Sequence, residues 1–246
     1  MVFPLLRNDE IVIIEHLQSS TQILDLGNIK ILTDPWLTEG EYYGSWYHYP
    51  PFEESKIKDL EYDYIYVSHI HPDHCSEATM LKLDKNTPVL IAKFEHKALK
   101  SKLERFGFKV IELAHAEPLS LGNDCSIEIF LADNCDPKLC MSYFGCQGGL
   151  DQSAIPRSID SLALFKSAER SILNTNDCPF DLAFKVINLH PQLHNVDMLL
   201  VGYCGAGPYP QCFVLSENRL QEEIQNKKII FMNSAIKYID LVKARF

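Results

Sequence analysis

The chain has 246 residues, 46% of them hydrophobic, with 33 acidic against 23 basic side chains and a formal charge of −10. That length suits one large α/β or two-sheet unit with a substantial core, and the acidic balance lacks the basic footprint of a nucleic-acid binder. No apolar run approaches the roughly 18 residues of a membrane span, and MVFPLLRNDE is too short and too acidic for a secretory signal, so the expected protein is soluble and cytoplasmic.

In chain order, short apolar runs at 11–14, 22–25 and 29–32, separated by Gly27 and polar residues, predict a strand meander that opens a sheet. DPWLTEGEYYGSWYHYPPF, 34–52, is too rich in Gly, Pro and aromatic residues for a regular element and reads as a long surface loop. A strand at 64–67 follows, then a helix capped by Ser76 and running to about Leu83, with Glu77 favoured in its first turn by the helix dipole. Further expectations are a strand at 89–91, a helix over about 95–105 ended by Gly107, and strands at 109–113, 126–132, 161–166, 170–174 and 197–201. The stretch 216–243 reads as helical, in one piece or two. With no repeat, linker or low-complexity segment, residues 1–246 are expected to form one domain.

Eight cysteines spread from Cys75 to Cys212 show no CxxC and no dense spacing, which points to buried reduced thiols rather than disulfides. The loose set Cys135, Cys140 and Cys146 is a weaker alternative for a soft-metal or redox site, and it fits none of the common zinc or iron–sulfur spacings.

The chemistry concentrates in VSHIHPDHC, 67–75, directly after the strand at 64–67. Alternate histidines at a strand end, His69 and His71, point to one side, and the turn redirects Asp73 and His74 into the same space. Imidazole nitrogens suit zinc, iron or manganese, and a carboxylate suits the harder of these ions. A single histidine is more often packed or solvated; four metal-competent side chains within six residues are not.

His69-Ile70-His71-Pro72-Asp73-His74 resembles the signature of the metallo-β-lactamase fold hydrolases. The resemblance implies an α+β fold, a four-layer αββα sandwich with one or two divalent metals at the shared edge of its sheets. It makes His69 and His71 ligands of metal 1, Asp73 and His74 ligands of metal 2, and Asp73 and His74 the catalytic pair. ILTDPWL and ILNTNDC look like the branch that holds the ascorbate-phosphate lactonases, the N-acylphosphatidylethanolamine phospholipases and, with most resemblance, the CMP-N-acetylneuraminic acid hydroxylases, whose Gly-rich, Pro-aromatic segment GAGPYPQCF also resembles. By the same resemblance Asp177 bridges the two metals, where residue type alone would make it a turn aspartate. Asp34, in TDPW, would orient a ligand histidine, with a turn-forming Asp before Pro35 as the plainer reading.

The pattern departs from the family twice. The third ligand of metal 1 should fall in LADNCDP, 131–137, where Asp136 stands in the place of an imidazole and would favour a harder or more weakly held ion; His115 is the alternative. The family's last histidine has no counterpart after His194, so the chain reads as lacking C-terminal elements, by truncation or by loss, with an open position at metal 2. His16, His48, His96, His190 and His194 read as surface residues, and HPQLH lacks the glutamate of an HExxH site. Lys93, Arg157 and Lys185 are scattered and read as solvated. The aromatic loop around Trp36, Tyr42, Tyr43, Trp46, Tyr47 and Tyr49 is either a substrate wall or a satellite cluster.

These expectations combine into a metal-dependent hydrolase in which zinc, or else manganese or iron, generates hydroxide near neutral pH and attacks a phosphodiester, lactone or amide of a small polar metabolite. No serine elbow or P-loop competes. Two rival readings are an oxygenase-related protein of the CMP-sialic acid hydroxylase type and a non-catalytic binding protein that keeps the fold. The former needs a separate electron donor, because no cysteine here has a histidine two positions later.

Overall fold

The computed structural model describes residues 2–4, 12–132, 161–204 and 209–246. Asp136, Arg157 and the cysteines 135, 140 and 146 lie outside the described residues.

Two sheets carry the fold. In the first, β1 (Val2–Pro4), β2 (Ile13–Gln18), β3 (Thr21–Asp25) and β4 (Lys30–Thr33) form an antiparallel meander. β4 then continues in parallel with β5 (Tyr64–Tyr66), β6 (Val89–Ala92) and β7 (Val110–Leu113). The crossovers hold α1 (Glu77–Met80) and α2 (Ala98–Arg105). The second sheet has the order β12, β11, β10, β9, β8. Its strands are β8 (Leu119–Gly122), β9 (Cys125–Leu131), β10 (Ser161–Lys166), β11 (Ser171–Asn174) and β12 (Met198–Leu200), flanked by α3 (Phe180–Leu189) and α4 (Glu217–Val242).

Strand periodicity sorts the core into layers. Along β9 and β10, Ile127, Ile129, Leu131, Ala163 and Phe165 join the cluster that includes the first sheet. Phe130, Leu162 and Leu164 instead pack with Leu182, Val186, Tyr238 and Val242 of α3 and α4. Every second residue therefore faces the other sheet and the rest face helices. Met80, Leu83, Leu99 and Leu103 bring α1 and α2 onto the first sheet. The result is helix, sheet, sheet, helix, the αββα sandwich.

Local chemistry sets the element ends. Ser76 caps α1 by accepting from Thr79 N–H (3.2 Å), as its sequence promises, but the helix stops at Met80 rather than near Leu83. Lys82 and Leu83 already bond three residues back, to Thr79 and Met80, which tightens the turn. α2 starts at Ala98 and ends as Gly107 predicts: that glycine has φ +92°, its N–H donates to Glu104, and Phe108 N–H donates to Leu103, a Schellman end. β8 and α3 are elements that strand and helix patterns did not flag. β8 pairs with β9 through Asn123-Asp124, both at positive φ, the two-residue hairpin turn. Residues 217–242 form one helix of 26 residues. Among the described residues, no helix is long and apolar enough to cross a membrane.

Candidate metal centre

The chemistry lies where strands of both sheets end. Asp34 directly follows β4, and Ser68 and His69 follow the adjacent parallel strand β5; Asp34 N–H donates to Tyr66 O (2.8 Å) and so sits beside the β5 exit. The turn after His69 closes on itself, with His74 and Cys75 N–H both donating to His71 O (3.0 and 2.8 Å), and Lys102 Nζ from α2 holds Cys75 O at 2.9 Å. That turn swings His74 back under Asp34. From the second sheet, Asp177 follows β11 on a turn in which Asn174 Oδ1 accepts Asn176 N–H (3.0 Å).

Three of the sequence candidates converge: ligand atoms of His69, His74 and Asp177 all lie within 4.8 Å of one another. His74 Nε2 is 3.1 Å from Asp177 Oδ2 and 3.7 Å from Asp73 Oδ2, while its Nδ1 is 2.9 Å from Asp34 Oδ2. His71 stands at the edge of the group, its Nδ1 2.8 Å from His69 Nε2. Asp73 is buried and accepts from Tyr42 Oη (3.1 Å), which connects the aromatic loop to the centre. Asp34 is fully buried, so its carboxylate orients its neighbours and does not face solvent.

The protonation pattern follows from these contacts. Burial, then the neighbouring His74 charge, holds His69 well below the usual imidazole range, and burial lowers His71 as well. Burial also opposes charge on His74, but Asp177 and Asp34 outweigh it and raise that imidazole well above the ordinary value. At Asp177 burial opposes ionisation, and the imidazole of His74, helped by His69 and His71, overrides it and holds the carboxyl well below the usual carboxylate range. Without a metal, His74 is thus an imidazolium between two carboxylates. An ion that replaces its outer proton finds two imidazoles and a carboxylate already aimed inward, a donor set that suits zinc, iron or manganese.

Other candidates are placed elsewhere. His115 is exposed; its Nδ1 accepts Leu131 N–H (2.9 Å), and its ring packs against His190 and Phe130 on the helix side of the second sheet. His16 and His96 are exposed, whereas the other three histidines expected at the surface are not: His190 is half-buried, its ring against Phe130 and His115. His48 is buried against Trp36 with Nδ1 3.2 Å from Glu39 Oε1, and His194 is half-buried with its two ring nitrogens 3.0 Å from the carbonyls of Leu241 and Ile187. Of the described cysteines, Cys75, Cys125 and Cys178 are buried, and burial pushes the Cys75 thiol up to about 11, an inert neighbour of the centre. Cys204 and Cys212 are exposed, unlike the expectation. Lys93 and Lys185 are exposed.

Sequence reasoning did not single out Ser68, Tyr66 and Asn176. Ser68 lies between Asp34 and both inner histidines. Asn176 Nδ2 donates to Tyr66 Oη (3.1 Å) and to Ser161 O (2.8 Å), tying the turn that carries Asp177 to β5 of the other sheet. The only advance signal for them was adjacency to stronger motif residues.

Solved structures resemble this architecture over nearly all of it. A possible metal-dependent hydrolase from Veillonella parvula superposes with a TM-score of 0.55 at 14% identity, covering 94% of this chain and 91% of that one. The diiron β-hydroxylase CmlA from Streptomyces venezuelae gives 0.58 at 18% identity over 97% of this chain and 44% of its own. This is the metallo-β-lactamase fold. No family model matches the chain. Two curated relatives join the comparison. A Mycobacterium tuberculosis protein provisionally described as a Rieske 2Fe-2S iron–sulfur protein is 26% identical over 223 residues, 87% of this chain and 39% of that protein. The CMP-N-acetylneuraminic acid hydroxylase of Danio rerio is 36% identical over 67 residues, 26% of this chain and 11% of that one. The chain spans about two fifths of the length of the first of these.

Proposed function

We propose that this chain is a metal-dependent hydrolase with one metal centre, acting on a phosphodiester, lactone or amide of a small polar metabolite. The carrying observation is the convergence of His69, His74 and Asp177 at the strand ends of both sheets. His69, His74 and Asp177 would hold the first divalent ion, with His71 Nδ1 beside them; Asp73 stands next to hold a second. Bound there, such an ion supplies Lewis acidity and lowers the pKa of a coordinated water to about 7. The chain's own residues do the rest. Asp34 and the turn 71–75 fix the imidazoles, and Tyr42 holds Asp73 in place. Tyr43, Tyr47 and Tyr49, exposed on the same loop, offer a wall for the substrate.

The relatives favour a second reading. The curated matches carry Rieske or CMP-sialic acid hydroxylase names, and CmlA is a diiron β-hydroxylase, so the same centre loaded with iron would serve an oxygenase reaction whose electrons come from a Rieske partner. Metal analysis by plasma mass spectrometry, on protein purified without chelators beside His71→Ala and His74→Ala, separates the two. At least one equivalent of zinc or manganese, lost in both variants, with turnover of chromogenic phosphodiesters or lactones, is the expected result. Iron with visible absorption and no hydrolysis moves the assignment to the second reading, and metal-free folded protein removes both.

A further inference from the structure

Asp34 and Ser68 together fix where the protons sit on the ligand histidines. Both are sealed in the protein, Asp34 at 0% and Ser68 at 1% exposure, and Asp34 takes a left-handed conformation (φ 42°) that non-glycine residues seldom adopt. Its carboxylate is fully engaged: Oδ1 accepts Ser68 N–H (2.7 Å), and Oδ2 faces both Ser68 Oγ (2.8 Å) and His74 Nδ1 (2.9 Å). Ser68 Oγ in turn lies 2.9 Å from His69 Nδ1.

Counting donors decides the direction of each bond. A carboxylate only accepts, and a hydroxyl has one hydrogen to give. Ser68 therefore spends its hydrogen on Asp34 Oδ2, and its contact with His69 is complete only when His69 Nδ1 is the donor. His74 Nδ1 must likewise donate to Asp34. Both rings then carry hydrogen on Nδ1; His74 Nε2 lies 3.1 Å from Asp177 Oδ2, and His69 Nε2 is left as the acceptor facing His71 Nδ1 at 2.8 Å.

We propose that Ser68 is a positioning residue: it passes the acceptor character of the one carboxylate, Asp34, on to a second imidazole and thereby fixes the tautomer of His69 that can bind metal. One buried carboxylate thus sets two ligands, one directly and one through a hydroxyl. The inference rests on the metal-centre reading above, but the proton position on His69 can be read with no metal present.

The test is long-range proton–nitrogen NMR on histidine-labelled, metal-free protein, paired with zinc titration against a chromophoric chelator. The expected wild-type result is His69 with hydrogen on Nδ1. Ser68→Ala should leave the ring as a mixture of tautomers and weaken zinc binding about 10- to 100-fold, the usual effect of removing a group that orients a ligand; Ser68→Thr, which keeps the hydroxyl, should restore both. Asp34→Asn is the sharper variant. Ser68 N–H still needs the carbonyl oxygen, so the amide NH2 faces Ser68 Oγ, the hydroxyl hydrogen turns to His69, and that ring should switch to hydrogen on Nε2. A wild-type His69 protonated on Nε2, or a Ser68→Ala protein with an unchanged tautomer and zinc affinity within twofold, overturns the relay. If Ser68→Ala does not fold, an Asp34→Asn protein that leaves His69 unswitched overturns it instead. A wild-type tautomer as described in a protein that takes up no zinc keeps the relay and overturns the metal-centre reading.

Discussion

Asp34 and Asp177 bind opposite edges of one imidazole, His74, and they are held in opposite ways. Asp34 is sealed at the end of β4 with every carboxylate contact filled from within the chain. Asp177 comes from the second sheet, 55% exposed at the side chain, on a turn that bonds mainly through its neighbours Asn174 and Asn176. The inner carboxylate is built for rigidity and the outer one for access: one half of the centre is fixed on folding, and the other pairs with the outer proton of His74, the one a cation would replace.

If that contrast is right, the largest effect comes from the inner side. Asp34→Ala leaves a buried imidazolium and a buried Ser68 N–H without their acceptor and should cost about 3–5 kcal/mol of stability, together with metal binding; urea denaturation checks the first and plasma mass spectrometry the second. Asp177→Asn should weaken metal uptake by at least about 10-fold and lower the urea midpoint of the metal-free protein less than Asp34→Ala does, because the Asp177 side chain is half exposed and water can take over part of its role. Equal destabilisation by the two substitutions would erase the comparison.

A third effect is on pH. His74 is raised by its two carboxylates, so at neutral pH the metal-free protein carries a proton that a metal must displace. Metal affinity should therefore rise with pH, by up to about tenfold per pH unit while His74 stays protonated, and one proton should appear in the buffer per ion bound, measurable by calorimetry in buffers of different ionisation enthalpy. The smallest effect belongs to Tyr42→Phe, which removes one hydrogen bond to Asp73 and should cost about 1 kcal/mol with the first ion still bound.

How much of this was legible in the sequence follows the same division. HxHxDH could be read because its four candidate ligands lie within six residues at one strand exit, and the strands of the first sheet because apolar runs alternate with turn residues. Asp177 was visible through resemblance alone, since an aspartate after Asn-Thr-Asn is ordinary turn chemistry. Ser68 and Asn176 act through contacts across 34 and 110 positions, to Asp34 and to Tyr66, and no local pattern encodes such a meeting. α3 escaped because its apolar positions, Leu182, Ala183, Val186 and Ile187, follow Pro179 in a stretch that composition alone leaves open. β8 escaped although its Gly-Asn-Asp turn carried a hairpin signal. His48 and His194 show the limit of reading single histidines: both are placed by partners distant from any motif.

The link from Asn176 to Tyr66 gives the centre an unexpected control. Tyr66 itself meets Phe165 of the second sheet edge-on, ring centres 5.5 Å apart. On the metal-centre reading proposed above, the two sheets act as the jaws of a caliper: the first carries the histidines and the second carries Asp177. On that reading, a smaller side chain at Phe165, which is not itself a candidate ligand, would loosen the contact with Tyr66 and with it the spacing between Asp177 and the histidines.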